Sequence, residues 1–361
     1  MDNIAPRPNA AGFLDLIGGD PEDRPAIYGS GGEDSSCASL FAENFRHTDT
    51  IKHRFRLPEN VEFRKPEAPS AMLPGMASRP MVAIVGAGNF GTALAVALQR
   101  AGYSIEAVIA RSRGSSLRKA QRLAKQISAR ASTDPSALRA DVIWFCVPDA
   151  KIARAARSFA GKIEWKGRVA LHSSGALTSD ELAVLRRQGA VVASVHPLMT
   201  FVRGSQPSLA GVPFALEGDA AAVRVARRVL QDLGGQAYSI RKKEKAAYHA
   251  WGTFASPLFT VLLATTEQVA ALAGVSRTAA KRRMVPILLQ TLANYAAFDA
   301  PGAFSGPIVR GDVDTVKRHL RVLQSLPAAR DVYAALVRAA LLFLPAKKKA
   351  ELRAAVKSAG N

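Results

Sequence analysis

The chain is short of cysteine, with only Cys37 and Cys146 among its 361 residues. Two cysteines give no metal-ligand spacing and at most one bridge. A disulfide scaffold and a metal site are therefore not expected, and a reducing compartment, the cytoplasm, is. Aromatic residues make up 7% of the chain. No aromatic-rich RNA-binding strand, zinc-finger spacing or basic leucine zipper is present. No uncharged apolar run reaches the roughly 18 residues of a membrane span, so no membrane partner is expected. The first residues include Asp2, Asp15, Asp20, Glu22 and Asp23 and no apolar stretch, so no secretory signal is expected. Collagen-like repetition and disorder of the whole chain are excluded as well. With 48% hydrophobic residues, the chain can bury a sizeable core, and its length suggests two domains with a tail.

What is abundant is positive charge, and it is unevenly placed. Residues 1–80 hold 9 Lys/Arg against 12 Asp/Glu, whereas residues 81–361 hold 40 against 17, a balance of +23. Such a surplus suits nucleic acid, an anionic membrane surface or phosphorylated small molecules. Most of these cations are scattered through Ala- and Leu-rich helical patterns, as on solvated helix faces, so nucleic acid is not the expected partner.

Residues 1–79 are rich in Pro, Gly, Ser and acids and show no period of 2 or 3.6, so they are expected to form a disordered leader. From residue 80 short β-branched runs alternate with helical patterns. "MVAIVG", "SIEAVIA", "DVIWFCVP", "RVALHSSG", "AVVASVHP" and "VPFALEG" read as strands, with helices after the first (to Gly102), over 114–128 and over about 150–160. Alternation of this kind predicts an α/β domain over 80–240, a doubly wound parallel sheet with helices on both faces. Beyond about 241 the strands stop. Segments 243–272, 276–298, 312–326, 328–343 and 346–358 read as helices, giving a second, all-α domain over 241–361.

The strongest motif is "VAIVGAGNFGTAL", in which Gly86, Gly88 and Gly91 form G-x-G-x-x-G between a strand and a helix. The glycines allow a tight turn, close approach of a pyrophosphate and close helix–strand packing. The helix start, with Asn89 and Phe90 inside the motif, presents N–H groups to the anion. A dinucleotide is the expected ligand. The second strand ends at Ala110–Arg111–Ser112–Arg113 without the acid that holds an NAD ribose, and Glu106 lies too early to serve. Arg111, Ser112 and Arg113 suit a 2′-phosphate, so NADP is the expected cofactor. Val147 and Pro148 end another strand where the cofactor would lie, with Asp149 a candidate helix cap. Cys146 reads as a core thiol.

Polar clusters end the next strands. Ser173 and Ser174 can bond cofactor or substrate, and His196 precedes Pro197 at a pocket edge. Lys245 and His249 are four residues apart on one predicted helix face, with Tyr248 beside them. Reducing a carbonyl needs an acid or cation at the developing alkoxide, and Lys and His can serve. Lys245, His249 and His196 are therefore the candidate catalytic residues. Asp312 is a natural helix cap, and Arg310 precedes it on a loop.

Eight segments, "GAGNFGTAL", "VPDAKI", "HSSGAL", "HPLMTF", "PFALEGD", "KAAYHA", "LLQTLANY" and "SGPIVRGDVDTVKRHL", occur in one order over about residues 81–345. In this the chain resembles bacterial Rossmann-like proteins carrying the domain of unknown function 2520. That family is related to deazaflavin-dependent NADP oxidoreductases, ketopantoate reductases and 6-phosphogluconate dehydrogenases. The resemblance implies a Rossmann domain, a 6-phosphogluconate-dehydrogenase-like helical domain that makes a homodimer, and an active site between them. It also implies reduction of a small, acidic, ketopantoate-like keto compound. By position, Lys245, Tyr248 and His249 match a K-x-x-Y-H signature, and Asn294, Arg310, Asp312 and His319 match the C-terminal one. Ala255–Ser256–Pro257 departs from the "ASN" of relatives, replacing a substrate-holding amide with proline, and Trp251 is bulkier than usual there. That departure leaves an NADP-binding sensor or scaffold as the alternative function, with a nucleic-acid-associated protein behind it.

Overall fold

The computed structural model describes residues 79–205 and 207–357. The leader up to residue 78, and Cys37 within it, lie outside the described residues.

Buried β-branched runs make the centre of the molecule. Strands β1 (Val82–Val85), β2 (Ile105–Ile109), β3 (Arg130–Ser132), β4 (Val142–Phe145), β5 (Val169–His172), β6 (Val191–Pro197), β7 (Pro213–Gly218) and β8 (Gln236–Ser239) form one sheet. Its order is β3-β2-β1-β4-β5-β6-β7-β8. Every neighbouring pair is parallel except β6 and β7. β1, β4 and β5 are buried at every position, as expected of strands covered on both faces.

Helices α1 (Asn89–Arg100), α2 (Ser115–Gln126) and α5 (Ala220–Asp232) cover one face, packing Leu94, Leu123 and Leu230 against Ile84, Trp144 and Leu216. Helices α3 (Ile152–Phe159) and α4 (Ala183–Arg186) cover the other, where Ile152, Phe159 and Leu185 meet Val85, Phe145 and Val192. The doubly wound α/β class follows from this arrangement. β3 and β8 carry no apolar run, which is why no strand was expected at either; both are edge strands held by pairing to one neighbour.

Beyond β8 the chain is helical: α6 (Lys245–Thr253), α7 (Phe259–Leu272), α8 (Arg277–Ala303), α9 (Pro307–Arg310), α10 (Val313–Val322), α11 (Pro327–Phe343) and α12 (Lys349–Lys357). α6 runs into α7 through one π turn, Phe254–Leu258, that contains Pro257. Widening the helix there accommodates a residue that has no N–H to give. The run Lys242–Leu272 is long and apolar enough, by length and composition, to cross a membrane, and none of its apolar window is buried. No span was expected from the sequence, because polar residues such as His249, Thr253, Ser256 and Thr260 interrupt the apolar run between Lys245 and Glu267. α8 breaks at Asp299 (φ 66°), whose carboxylate accepts from the Gly302 N–H. α10, α11 and α12 share a small core of Val316, Leu320, Val337, Leu341, Leu352 and Val356.

Candidate active site

The turn from β1 into α1 places the glycine motif over the carboxyl ends of the strands. A Cβ on Gly91 would stand 2.2 Å from the Gly86 carbonyl oxygen, so the third glycine is required for the helix to pack on the turn. A Cβ on Gly88 would meet nothing closer than 3.9 Å, so its backbone borders open space. That space is a groove of about 760 Å3, bounded by Gly86, Ala87 and Gly88, by Arg111 and Ser112 after β2, and by Cys146, Val147 and Pro148 after β4. Ser115, Ser116 and Lys119 of α2 line it too, as do Lys151, Arg154 and Lys162 on the opposite wall. Among the described residues it has five cationic side chains and no carboxylate on its walls.

Arg113 is not among the residues that line this groove. Asn89 and Phe90 point elsewhere: the Asn89 amide donates to the Phe201 carbonyl (3.0 Å), and the Phe90 ring meets Phe201 edge-on at 5.1 Å. They fasten the β6–β7 loop to the glycine turn. Glu106 is structural, accepting from the Arg139 and Ala140 N–H groups at 2.8 and 2.7 Å and pairing with Arg130. Cys146 is partly buried, with its thiol pushed up by desolvation.

The next strand ends hold a second cluster. The Ser173 hydroxyl accepts from the Trp144 indole (2.8 Å), and Ser174 donates to Asp149 (2.7 Å) while accepting from the Leu177 N–H. The Ser174 hydroxyl is thus used both as donor and as acceptor, and the Ser173 oxygen holds the indole. Asp149 serves Ser174 rather than capping a helix. His172 accepts from the Ser174 N–H at Nδ1, and its Nε2 bonds the Thr178 carbonyl (2.9 Å). Burial lowers its pKa to about 4.

Gly175 is where the sheet and the helical domain close on each other. A Cβ there would fall 2.6 Å from His249 Cδ2 and 2.8 Å from His196 Nε2. His196 bonds the Tyr248 hydroxyl through Nδ1 (2.8 Å), and its ring lies 6.1 Å from that of His249. Burial, then the Lys245 charge, lower its pKa to about 3. Neutral at physiological pH, this imidazole can donate one proton through hydrogen bonding without carrying charge.

Lys245 and His249 share a side of α6 but not an environment. His249 is exposed, whereas Lys245 is 1% exposed. The long lysine stem reaches the end of β5 and the middle of β6, where Nζ donates to the Ser174 carbonyl (2.8 Å) and the Ser194 hydroxyl (2.5 Å). Glu217 of β7 stands 3.9 Å away. Desolvation lowers the lysine's pKa to about 8 against the opposing pull of Glu217 and Asp149.

The C-terminal signature residues engage other partners. Asn294 accepts from Gln290, Arg310 pairs with Asp312, and His319 bonds Tyr333. The Asp312 carboxylate therefore holds Arg310 instead of capping α10. Trp251 is 57% exposed. Sequence reasoning missed Lys119, Ser194 and Glu217. A lone acid within the apolar run "PFALEG" was the available signal for the last. Among the described residues no His, Cys, Asp and Glu group could hold a metal ion.

This combination, a glycine turn over parallel strand ends with a basic groove beside it, defines a Rossmann-type protein with an appended helical domain. Residues 65–197 match the family model for a Rossmann-like domain, and residues 212–340 match that of a domain of unknown function, DUF2520. The chain thus carries a Rossmann-like domain followed by a DUF2520 domain. No curated protein matches it. Among solved structures it is similar to BF3122 of Bacteroides fragilis, described as a candidate NADP oxidoreductase (TM-score 0.61, 21% identity, 72% of this chain and 97% of that one). It is also similar to protein TM1727 of Thermotoga maritima (0.56, 21%, 78% and 100%) and to an imine reductase from Pseudomonas sp. (0.53, 20%, 79% and 100%). At these identities the likeness is one of fold.

Proposed function

We propose that the protein is a cytoplasmic NADP-dependent oxidoreductase that reduces a small, acidic, ketopantoate-like keto compound. The groove carries this reading, with Arg111, Lys119, Lys151, Arg154 and Lys162 around one cavity and no acid among its described walls. NADPH brings a pyrophosphate and a 2′-phosphate of about −1.5 to −2 charge, whereas NADH brings only the former. The residues present fit the larger charge. The glycine turn and the start of α1 would hold the pyrophosphate, and Arg111, Ser112 and Lys119 the 2′-phosphate. Val147 and Pro148 would border the ring end. When bound, the nicotinamide supplies a hydride.

This chain's own residues then meet the substrate beside Gly175. His196, with Nδ1 tied to Tyr248, and the exposed His249 are placed to bond the carbonyl oxygen. The Lys245 ammonium behind them supplies positive charge in a dry setting, where it favours a developing oxyanion. Substrate-dependent oxidation of NADPH over a panel of 2-keto acids tests the reading, and reduction of at least one member is expected. A panel with no turnover despite NADPH binding would replace it with the second reading, an NADP-binding protein without catalysis. That alternative is favoured by the near-complete burial of Lys245.

The helical domain is assigned a second copy of the chain as partner. Phe254, Val261, Ile287 and Phe298 are all more than half exposed, and α8 packs mainly on α7. Apolar surface on this scale calls for a cover, and a two-fold mate is the commonest. Light scattering at micromolar concentration should give about twice the 38.3 kDa chain mass; a monomer would remove the assignment.

A further inference from the structure

Glu217 has no part in the reading above, yet it is a carboxylate only 5% exposed in an apolar strand. Its two oxygens are pinned to one residue, accepting from the Ser179 N–H at 2.7 Å and the Ser179 hydroxyl at 2.9 Å. Ser179 follows the loop from the end of β5, so the bonds fix that loop and the acid together. From this fixed position Oε1 faces the Lys245 ammonium at 3.9 Å. We infer that Glu217 is the positioning residue of the site, a buried counter-charge that seats the Lys245 ammonium between the Ser174 carbonyl and the Ser194 hydroxyl.

The groups that face this ammonium come from every element around it. Asp149 follows β4, His172 lies in β5 and His196 in β6; Glu217 lies in β7; Tyr248 and His249 share its own helix, and Tyr238 of β8 packs on Tyr248. Both buried imidazoles are neutral near pH 7, because burial holds them far below their ordinary range. Among the described residues, the negative charge acting on Lys245 comes from Glu217 and Asp149. The Asp149 carboxylate is bonded to the Ser174 hydroxyl, and Glu217 is the carboxylate that forms an ion pair with Lys245. A buried ammonium without a counter-charge gives up its proton, and it then has no positive field to offer an oxyanion. Ser194 reinforces the seat by donating to the Ser174 carbonyl (3.1 Å) while accepting from Lys245.

The inference rests on the proposed carbonyl reduction only for its catalytic consequence; the seat itself can be read directly. The full chain is labelled with 13C-lysine, and the Lys245 resonance is identified by its loss in Lys245→Met. In the wild type it should titrate near 8. Glu217→Gln keeps the side-chain shape and an acceptor for the Ser179 N–H, but removes the charge. The titration should then fall by about one unit or more, a roughly tenfold loss of proton affinity. The alkaline limb of the pH–rate profile for keto-acid reduction should move down with it. Glu217→Asp, which retains a charge but withdraws it, should give a smaller shift in the same direction, and it decides the matter should the Gln variant not fold. An unchanged lysine titration in the folded variant overturns the seat, even where turnover proves to depend on Lys245. A shifted titration in a protein that reduces no carbonyl upholds the seat and removes the reductase reading instead.

Discussion

Nζ of Lys245 lies 3.9 Å from Oε1 of Glu217, and the two side chains are 1% and 3% exposed. The lysine opens the helical domain and the acid belongs to the sheet, so this pair joins the two halves at their dry boundary. Lys245→Met removes the charge behind Gly175 while keeping most of the stem. Loss of a group that stabilises an oxyanion costs about 10²–10³ in rate, so kcat should fall by that order. NADPH affinity, followed by fluorescence titration, should stay within a few-fold. Near-full turnover would make the lysine a structural strut.

The groove separates two arginines that the sequence presents as equals. Arg111 lines it with Lys119, and Arg113 does not. Each charge-assisted bond to phosphate contributes about 1.5–3 kcal/mol. Arg111→Ala combined with Lys119→Ala should therefore cut the preference for NADPH over NADH at least tenfold in equilibrium binding. Arg113→Ala should leave it within a few-fold. A large loss from Arg113→Ala alone would move the phosphate site away from the groove.

Gly175→Ala adds a methyl group where His249 and His196 approach within 2.6 and 2.8 Å of the new atom. Overpacking of this kind costs about 1–3 kcal/mol. A lower Tm is expected, with a loss of turnover larger than any loss of NADPH binding, since the strain falls on the two histidines. A variant as stable and active as the wild type would show that the domains stand further apart in solution.

His172 and His196 set an acid limit on stability. Their folded pKa values, about 4 and about 3, lie below the unfolded value near 6.5. Between those values the unfolded chain binds more protons, so stability present above pH 6.5 is lost progressively as pH falls toward 4. Urea midpoints measured from pH 7 to pH 4 should decline steeply. The decline should be shallower in His196→Gln, which has no titrating ring at that place. A midpoint independent of pH across this window would contradict the burial of both imidazoles.

Local chemistry made much of this molecule legible in advance. "MVAIVG" and "DVIWFCVP" are short, β-branched or aromatic and bounded by Gly or Pro, which marks them as strands covered on both sides, and the glycines at 86, 88 and 91 suit the turn that follows β1. Alternation of strand and helix then implied the doubly wound sheet. The edge strands β3 and β8 were not legible, because three or four partly exposed residues pair through backbone groups that any sequence carries. Nor was the reversal of β7, since strand direction depends on where the preceding loop returns.

For the site, sequence by itself determined which elements carry the candidate groups: the glycine turn, the polar strand ends and the Lys–Tyr–His face of α6. Spacing along a helix puts Lys245 and His249 on one side, and it carries that information because helix geometry is local. Only the tertiary structure decided that the lysine turns inward to Ser174, Ser194 and Glu217 while the histidine stays exposed. The outcome depends on how β5, β6 and β7 pair side by side, which brings Ser194 and Glu217 opposite each other, and on which loop fills the gap. It also depends on the desolvation that strands from distant parts of the chain impose together. Burial is a property of the assembled neighbourhood, and no window of the sequence contains that neighbourhood.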